Sequence, residues 1–458
     1  MPTLTKDSFP TNATPSVTIT FKEDSLVAFP KTTKPVTEQV ISTRKISSPT
    51  NIGYVITATF SRTCNGIGSF TISILDPSWH NVEEAILKYK GLCIIEYGYL
   101  YDENITTPPI NARIMNYKLD YKMNHVIVTV FGLLIGYDSI TVKNWELTKT
   151  NINDIIYEIC SVLNVKEGMI EAASGEALVF TDFDKTSKGV LKIGQAEGET
   201  PLQLITQKLI ANAVPQDKKS KGPFIFSISF RDRLGKPASE PYLHFCTPTY
   251  KELWASSDII HKYEQFGNEI DTRIQEYKPS WNATLVQIQG GAGIVNNSFD
   301  YVTGERNIFA TEAALVDEEK KMTASGGLPG PLGPNQVQVQ QDLITLFPLS
   351  ADLLIRGDPT YEILDPVEFI VRIPPAGGIN YANKIHKMSG IFLVNKITDN
   401  ISKDGFNTQL SLMISPTTYK KLQQLKLSNY IPDTFTNNTS TPTTPISIMN
   451  RLLWLMQQ

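Results

Sequence analysis

The chain has 458 residues, of which 41% are hydrophobic and 19% are charged, a composition typical of globular proteins and not of disordered or fibrous ones. The net charge of −4 argues against a dedicated nucleic-acid-binding protein, which usually carries a basic domain. No apolar run reaches the ~18 residues of a membrane span, and Met1 to Asp24 contain no apolar signal-peptide core. The sequence therefore predicts a protein of two to four domains that is made and kept in a cytoplasm.

Residues 1–15 are rich in Thr, Pro, Ser and Asn and are predicted to form an extended arm. Residues 16–147 then alternate apolar and polar positions, as β-strands do. The predicted strands begin at Val17 and continue over Asn51–Phe60, Phe70–Leu75, Leu92–Leu100, Ala112–Asp120 and Val126–Leu134. In the second of these strands, four residues are expected on one face: Ile52, Tyr54, Ile56 and Ala58. The region predicts a unit of five to seven strands.

One short helix is predicted inside this region, after Asp76-Pro77 ends a strand. Asn81 can cap its start, and Glu84 follows three residues later, as in a capping box. Gly91 can end the helix.

Residues 148–250 have a different pattern. A helical stripe of apolar residues runs from Ile152 to Leu163, and Thr200-Pro201 begins a second predicted helix. Strands are predicted over Phe224–Phe230 and Tyr242–Phe245. This region is interpreted as a small α/β domain inserted between two β regions.

Residues 251–425 are predicted to form the second β region. A strand is predicted over Ala283–Gln289 and helices over 310–321 and 335–346, with a long loop at 312–340. Strands are also predicted over Ala351–Ile355, Val367–Ile373, Ile391–Ile397 and Thr408–Ile414. Arg356-Gly357-Asp358, an integrin-type tripeptide, is interpreted as part of a turn, and Asp404-Gly405 predicts a hairpin.

Residues 426–458 combine a Thr/Asn/Pro tract with an apolar helix. The tract cannot bury a core, so the helix is expected to dock on a partner or another subunit, with packing on its own chain left open. The candidate partner-binding residues on this helix are Ile448, Met449, Leu452, Leu453, Trp454 and Met456.

The sequence offers no pattern for catalysis, cofactor binding or metal binding. The four cysteines are widely spaced and are expected as buried thiols; they are Cys64, Cys93, Cys160 and Cys246. None of the five histidines has metal-ligand spacing, and no GxSxG motif is present. The glycines at 290–293 lack the form of a phosphate-binding loop. A glycosidase-type carboxylate pair assembled from distant residues stays an open alternative.

The order of elements in residues 349–414 resembles one known family. A strand, Gly357-Asp358-Pro359, a second strand, a Pro/Gly loop and Ser389-Gly390 precede V-x-K-I-x-D-x-I-S-x-D-G-F-x-T-x-L-x-L, which begins at Val394. This order is similar to the last barrel of the baseplate hub proteins of contractile-tailed bacteriophages, the late-control protein D family. The run of strand, Asp-Pro, short helix and strand in residues 16–147 is similar to the first barrel of such hubs.

The resemblance implies a mainly β, α+β fold with two tail-tube-like antiparallel β-barrels and an inserted α/β domain. It implies a homotrimer whose six barrels form a pseudo-hexameric ring between the hexameric tail tube and the trimeric central spike. DNA would pass through the axial channel without specific binding during genome ejection, and other baseplate proteins would bind the C-terminal tail. The location implied is the virion, after assembly in the host cytoplasm.

Two function classes follow from this resemblance. The first is a structural virion protein without enzyme activity or cofactor. The alternative is a hub-associated cell-wall-degrading enzyme, a lysozyme or peptidase. The first is favoured because the barrels and the α/β domain leave no separate compact unit of roughly 100 residues for catalysis.

Overall fold

The computed structural model describes most of the β regions and part of the α/β region. The described residues are 14–21, 39–42, 51–99, 106–134, 151–163, 165–174, 201–210, 213–217, 220, 223–232, 237–250, 261–265, 274–281, 295–299, 306–310, 349–371 and 389–414. None of the helices within these ranges is long and apolar enough to cross a membrane.

The described part of the first β unit contains seven strands and one helix. They are β1 (Pro15–Phe21), β2 (Gln39–Ser42), β3 (Asn51–Thr63), β4 (Ser69–Asp76), α1 (Asn81–Lys88), β5 (Leu92–Tyr99), β6 (Ile110–Tyr121) and β7 (Val126–Leu133). The strands pair in the order β3-β4-β7-β6-β5-β1-β2, and β2 pairs with β3, so the pairings form a closed cycle. Alternate residues of these strands are buried in a common apolar core, for example Val17, Ile72 and Val128.

Within its described residues, the α/β unit contains two helical segments and two small sheets. Its elements are α2 (Ile152–Leu163), β8 (Lys166–Ile170), β9 (Ala173–Ser174), α3 (Pro201–Leu204), β10 (Val214–Pro215), β11 (Ile225–Arg231) and β12 (Pro237–Cys246). A π-helical turn over Ile205–Leu209 continues α3. One face of α2 packs on the sheet β11-β12-β8, so the helical stripe predicted from Ile152 onward is confirmed.

In the described part of the second β unit, six strands pair with one another in a continuous order. After β13 (His261–Gln265) and β14 (Ile274–Trp281), a separate hairpin forms from β15 (Val295–Phe299) and β16 (Arg306–Ala310). The remaining strands are β17 (Leu349–Arg356), β18 (Pro366–Val371), β19 (Gly390–Ser402) and β20 (Gly405–Ile414). The path runs β14-β17-β20-β19-β18-β13, and only its last pairing is parallel.

The two β units share one sheet. The second half of β19 pairs antiparallel with the second half of β3, with Lys396 opposite Thr63 and Ile401 opposite Ala58. Thirteen strands therefore belong to a single sheet among the described residues, and the predicted mainly β fold is confirmed. The sequence did not predict this continuity, because strand partners that are more than 300 residues apart leave no local signal.

The second β unit repeats the pairing scheme of the first. The pairing order β14-β17-β20-β19-β18 corresponds, strand by strand, to the order β3-β4-β7-β6-β5 of the first unit. The register shift between Val55 and Thr57, opposite Ile74 and Ser73, recurs between Ile274 and Glu276, opposite Ile355 and Leu354.

A second register shift recurs in the same way. It lies between Ile114 and Asn116 in β6 and between Val394 and Lys396 in β19. A bulge occurs at a specific position of a strand pair. Because two bulges occur at equivalent positions in both units, individual residues of one unit can be matched to residues of the other. The parallel direction of β13 has no counterpart in β1, which is antiparallel to its neighbour β5.

The structure corrects the predicted face of β3. Ile52 and Ala58 are buried, but Ile56 is exposed and Tyr54 is only half-buried. The bulge after Val55 inserts one residue into the alternation, so the apolar side chains on either side of it no longer share one parity.

The structure also corrects the cap of α1. His80 occupies the cap position without a side-chain hydrogen bond, and Asn81 is the first helical residue. The buried Asp76 carboxylate accepts hydrogen bonds from the backbone N–H groups of Ser78 and Val82 instead, at 2.8 and 2.9 Å. The predicted end at Gly91 is confirmed, since its φ of 74° is in the left-handed region and its N–H bonds Ile86 O at 2.8 Å.

Several predictions fall wholly or largely outside the described residues. They concern most of the arm at 1–15, the strand at 283–289, the glycines at 290–293, the helices at 310–321 and 335–346, the loop at 312–340 and the tail at 426–458. The first residue of the predicted helix at 310–321, Ala310, is the last residue of strand β16 in the structure. Strands β13 and β14 were not predicted, because Lys262, Glu276, Lys278 and Pro279 interrupt their apolar pattern.

Candidate functional site

A buried ionic cluster lies where the two β units meet. We call it the interface cluster, and it consists of Arg62, Tyr97, Glu362, Asp399 and Thr408. The guanidinium of Arg62 in β3 reaches into the second unit: Nη1 lies 2.9 Å from Glu362 Oε2, and Nη2 donates to the carbonyl oxygen of Tyr361 at 2.8 Å. Nη2 is also 3.8 Å from Asp399 Oδ2. One side chain thus contacts both the turn after β17 and strand β19.

Asp399 joins the two units through one carboxylate oxygen, Oδ2, while Oδ1 bonds within the second unit. Oδ2 accepts a hydrogen bond from the hydroxyl of Tyr97 in β5 at 2.9 Å, and Oδ1 accepts one from Thr408 in β20 at 2.6 Å. Tyr97 is held in place by stacking on Phe60, with ring centroids 4.0 Å apart and planes 6° apart. The carboxylate is fully buried, so these donors replace the water that it loses on folding.

The Gly357-Asp358-Pro359 turn packs directly on this cluster. Asp358 N donates to Thr408 Oγ1 at 2.9 Å, and Tyr99 of the first unit donates to the carbonyl oxygen of Gly357 at 2.9 Å. A Cβ on Gly357 would lie 2.1 Å from the ring of Phe406, so only glycine allows this close approach. Gly357 and Asp358 are buried, which supports the turn interpretation of the Arg-Gly-Asp tripeptide.

The α/β unit is tied to the same turn. Arg231, the last residue of β11, places Nη1 2.5 Å from Asp365 Oδ1 and donates from Nη2 to the carbonyl oxygen of Thr360. A second link joins Asn65, after β3, to Phe226 through two hydrogen bonds of 2.8 and 2.9 Å. All three units therefore meet at the segment between β17 and β18.

Burial and charge pull the carboxylate pKa values in opposite directions. Burial raises the pKa of Asp399 to about 6, although Arg62 nearby lowers it. Burial also raises the pKa of Glu362, although the charges of Arg62 and Arg231 lower it. For Asp365, burial acts to raise the pKa, but the charge of Arg231 and hydrogen bonds from His261 and the backbone of Glu362 together outweigh burial, and the pKa is lowered. At Asp399 and Glu362, burial thus outweighs the attraction of the nearby arginines and favours the protonated form of each carboxylate.

The interface cluster connects strands of the two β units. Its carboxylates are engaged by arginine, tyrosine and threonine donors from other strands, and its members are buried. Within the described ranges, no three His, Cys, Asp or Glu side chains are grouped to hold a metal ion. What this arrangement can do is fix the position of one β unit against the other.

A second buried polar group lies in the α/β unit. His244 in β12 accepts a hydrogen bond at Nδ1 from the N–H of Met169, at 2.9 Å. Burial lowers the pKa of His244 to about 4, so the ring is neutral at pH 7 with its proton on Nε2.

The structure and the sequence point to different candidate residues. The six apolar residues from Ile448 to Met456 lie outside the described residues, so their position is not given. The interface cluster was missed, although the sequence carries a signal for it: Arg62 and Asp399 occupy core-facing positions in alternating strands, next to Phe60 and Ile397 or Ile401. A charge at such a position requires a buried partner.

The predicted buried thiols are found at three of the four cysteines. Cys93, Cys160 and Cys246 are buried, whereas Cys64 is half-buried. Burial raises the pKa of the thiols of Cys64, Cys93 and Cys160 to about 12, so these groups stay protonated and unreactive at pH 7.

Comparison with known proteins gives similar folds and no sequence match. No family model and no curated protein matches the chain. A 43 kDa tail protein of prophage MuSo2 from Shewanella oneidensis is similar over 79% of this chain and 95% of its own, with 11% identity and a TM-score of 0.42. A tail protein from Neisseria meningitidis MC58 is similar over 79% of this chain and 92% of its own, with 11% identity and a TM-score of 0.42.

A third similar structure comes from a secretion system. It is an E. coli component of the type VI secretion system, described as structurally similar to T4 bacteriophage tail proteins, and it matches over 81% of this chain and 75% of its own. The identity is 8% and the TM-score is 0.41. These three solved structures are two tail proteins and a type VI secretion system component. At identities of 8–11% and TM-scores of 0.41–0.42, the similarity concerns the fold alone.

Proposed function

We propose that this chain is a structural tail hub that forms a trimeric, pseudo-hexameric ring between a hexameric tail tube and a trimeric central spike. The observation that carries the proposal is the internal repeat of the β units, with five equivalent strands in the same pairing order and two bulges at equivalent positions. Three chains with two equivalent units each supply six similar faces, which a six-fold partner can bind, while the three-fold symmetry of the chains matches a spike.

The proposed domains follow the β units and the elements between them. The first tube-like barrel spans 16–147, the α/β domain 148–250 and the second tube-like barrel 251–425. The closed cycle of pairings in β1–β7 supports the first barrel. Its interior holds apolar side chains such as Ile19 and Ile74, so an axial channel for DNA would lie between chains and not inside one barrel.

The interface cluster gives the hub its rigidity. A ring that holds a tube and a spike in a fixed relative orientation needs a fixed angle between the two β units of each chain. Arg62, Asp399 and Glu362 are buried between the units and bonded across them, so a change in this angle would leave buried charges without partners.

The C-terminal tail is proposed to attach peripheral baseplate proteins. Ile448, Leu452 and Met456 are predicted to lie on one apolar helical face, with Trp454 beside it. The 18 residues of 428–445 can extend about 60 Å. Deletion of 428–458 is expected to leave a folded hub that fails to join complete baseplates. A truncated chain that unfolds would instead assign the tail to its own core.

Copy number tests the proposal. Mass measurement of the assembled complex is expected to give three copies, and a stable dimer or hexamer within the particle would contradict it. A muralytic assay on the purified protein addresses the alternative of a cell-wall-degrading enzyme. Lysis of cell walls at a catalytic rate would favour that alternative over a purely structural hub.

A further inference from the structure

Two strand edges of the repeat are used differently in the two β units. Residues 396–401 of β19 and 58–63 of β3 pair with each other across the units. Their counterparts are the second half of β6, from Asn116 onward, and the second half of β14, from Tyr277 onward. Among the described residues, the second half of β6 has one strand neighbour, β7, and β14 has one, β17.

The repeat allows the register of the β3–β19 pair to be transferred to β14 and β6. Because the bulges align Asn116 with Lys396, the residue of β6 that corresponds to Asn400 is Asp120. Because Thr57 corresponds to Glu276, the residue of β14 that corresponds to Thr59 is Lys278. Asn400 lies opposite Thr59 in the structure.

We propose that β14 of one copy pairs antiparallel with the second half of β6 of the next copy, with Asp120 opposite Lys278. The partner is therefore a second copy of this chain, and the contact repeats the β3–β19 pairing that already exists inside one chain. This inference deepens the proposed function and rests on it for the closure of the ring. One kind of pairing, alternately within and between chains, then connects every β unit.

The charges on the two edges are complementary in this register. Asp120 Oδ2 lies 2.7 Å from Lys122 Nζ, and Lys278 Nζ lies 2.7 Å from Glu276 Oε1. All four side chains are about half exposed or more. Asp120 faces Lys278 across the joined strands, and two residues further Lys122 faces Glu276. Directly opposed unlike charges stabilise an antiparallel pair.

The apolar side chains of β6 support the same contact. Tyr117 and Leu119 pack only partly against the core, and Tyr121 is 61% exposed. Their counterparts in β19, the strand that pairs with β3, are almost completely buried; they are Ile397, Asp399 and Ile401. A β14 strand paired with β6 would place further side chains beside this apolar surface, as β3 does beside β19.

Pro279 does not prevent the pairing. It corresponds to Phe60, which lies opposite Asp399 in the existing contact. Backbone N–H groups of a strand point alternately to its two sides, so one proline removes at most one donor from one edge.

Disulfide cross-linking tests the register directly. Directly opposed residues of antiparallel strands have Cα atoms about 4.5–5.5 Å apart, a separation that a disulfide can bridge. The double variant Asp120→Cys/Lys278→Cys is expected to form covalent multimers under mild oxidation, visible on a non-reducing gel. Controls are the unmodified chain and Lys278→Cys/Tyr157→Cys, in which Tyr157 lies on α2, away from both edges. Neither control should cross-link between copies.

Charge reversal gives a second measurement. Asp120→Lys or Lys278→Asp alone should weaken self-association about threefold to tenfold, and the two together should restore it.

The two experiments together have four possible outcomes. Cross-linked multimers together with this charge-reversal pattern support the pairing. Wild-type trimers without cross-links and without a charge effect overturn the pairing and leave the proposed ring intact. Cross-links in open chains that never close at three copies support the pairing and overturn the ring. A chain that stays monomeric and never cross-links, even within particles, overturns both.

Discussion

Arg62 Nη1 and Glu362 Oε2 lie 2.9 Å apart, although the two residues belong to different β units and are 5% and 7% exposed. Between them they connect β3 of the first unit to the turn after β17 of the second. Both charges are buried, so loss of one partner leaves the other buried without an opposite charge.

Loss of one partner is therefore expected to be costly. Arg62→Met should lower the free energy of unfolding by about 3–5 kcal/mol, because it leaves Glu362 and Asp399 buried without their cation. Urea denaturation measures the change. The matched control is Arg62→Met/Glu362→Gln, which removes both charges and should recover part of the loss. A double variant as unstable as the sum of its single variants would show that the pair is not coupled.

The buried groups also predict a specific pH dependence. Asp399 has a folded pKa of about 6, above its ordinary 3.8, so from about pH 4 to pH 6 the folded chain holds a proton that the unfolded chain releases. Stability from this group therefore falls as the pH rises. His244 has a folded pKa of about 4, below its ordinary 6.5, so the unfolded chain binds the extra proton and stability rises with pH. The two slopes oppose each other in the wild type.

Single variants should separate the contributions of Asp399 and His244 to the pH dependence of the free energy of unfolding. In Asp399→Asn, the free energy of unfolding should rise between about pH 4.5 and 6, relative to wild type, by up to about 1.4 kcal/mol per pH unit. In His244→Asn, it should fall over the same range. Urea titrations at several pH values measure both slopes. Parallel profiles for all three proteins would contradict the assigned pKa directions.

The cap of α1 provides a third prediction. Asp76→Ala removes a buried acceptor from the N–H groups of Ser78 and Val82 and should lower stability by about 1–3 kcal/mol. Asn81→Ala is the control, since that side chain makes no cap, and it should change stability by less than about 0.5 kcal/mol. Thermal or urea unfolding compares the two. A larger effect at Asn81 would restore the capping box that the sequence suggested.

The sequence predicted those parts of the fold that depend on local patterns. Strand alternation located β1, β4 to β7 and β17 to β20, and an apolar stripe located α2, because neighbouring residues determine these patterns. The face of β3 was wrong because a bulge depends on the partner strand. The cap at Asp76 was missed because the acceptor precedes the helix by several residues and approaches it through a turn.

The candidate site depended on contacts that no local pattern encodes. Arg62 and Glu362 are 300 residues apart, and each alone is compatible with a solvated surface charge. The repeat of the two β units is also hidden in sequence: its equivalent positions include Phe60 with Pro279 and Asp120 with Asn400. Pairing order and bulges preserve the repeat where residue types do not.

A symmetry-resolved reconstruction of the assembled particle tip tests the central claim most directly. The account predicts three copies of this chain around the axis, with six β units in one ring and with β3–β19 contacts alternating with β14–β6 contacts. Any other copy number, or a position of the chain away from the axis, would contradict the hub proposal.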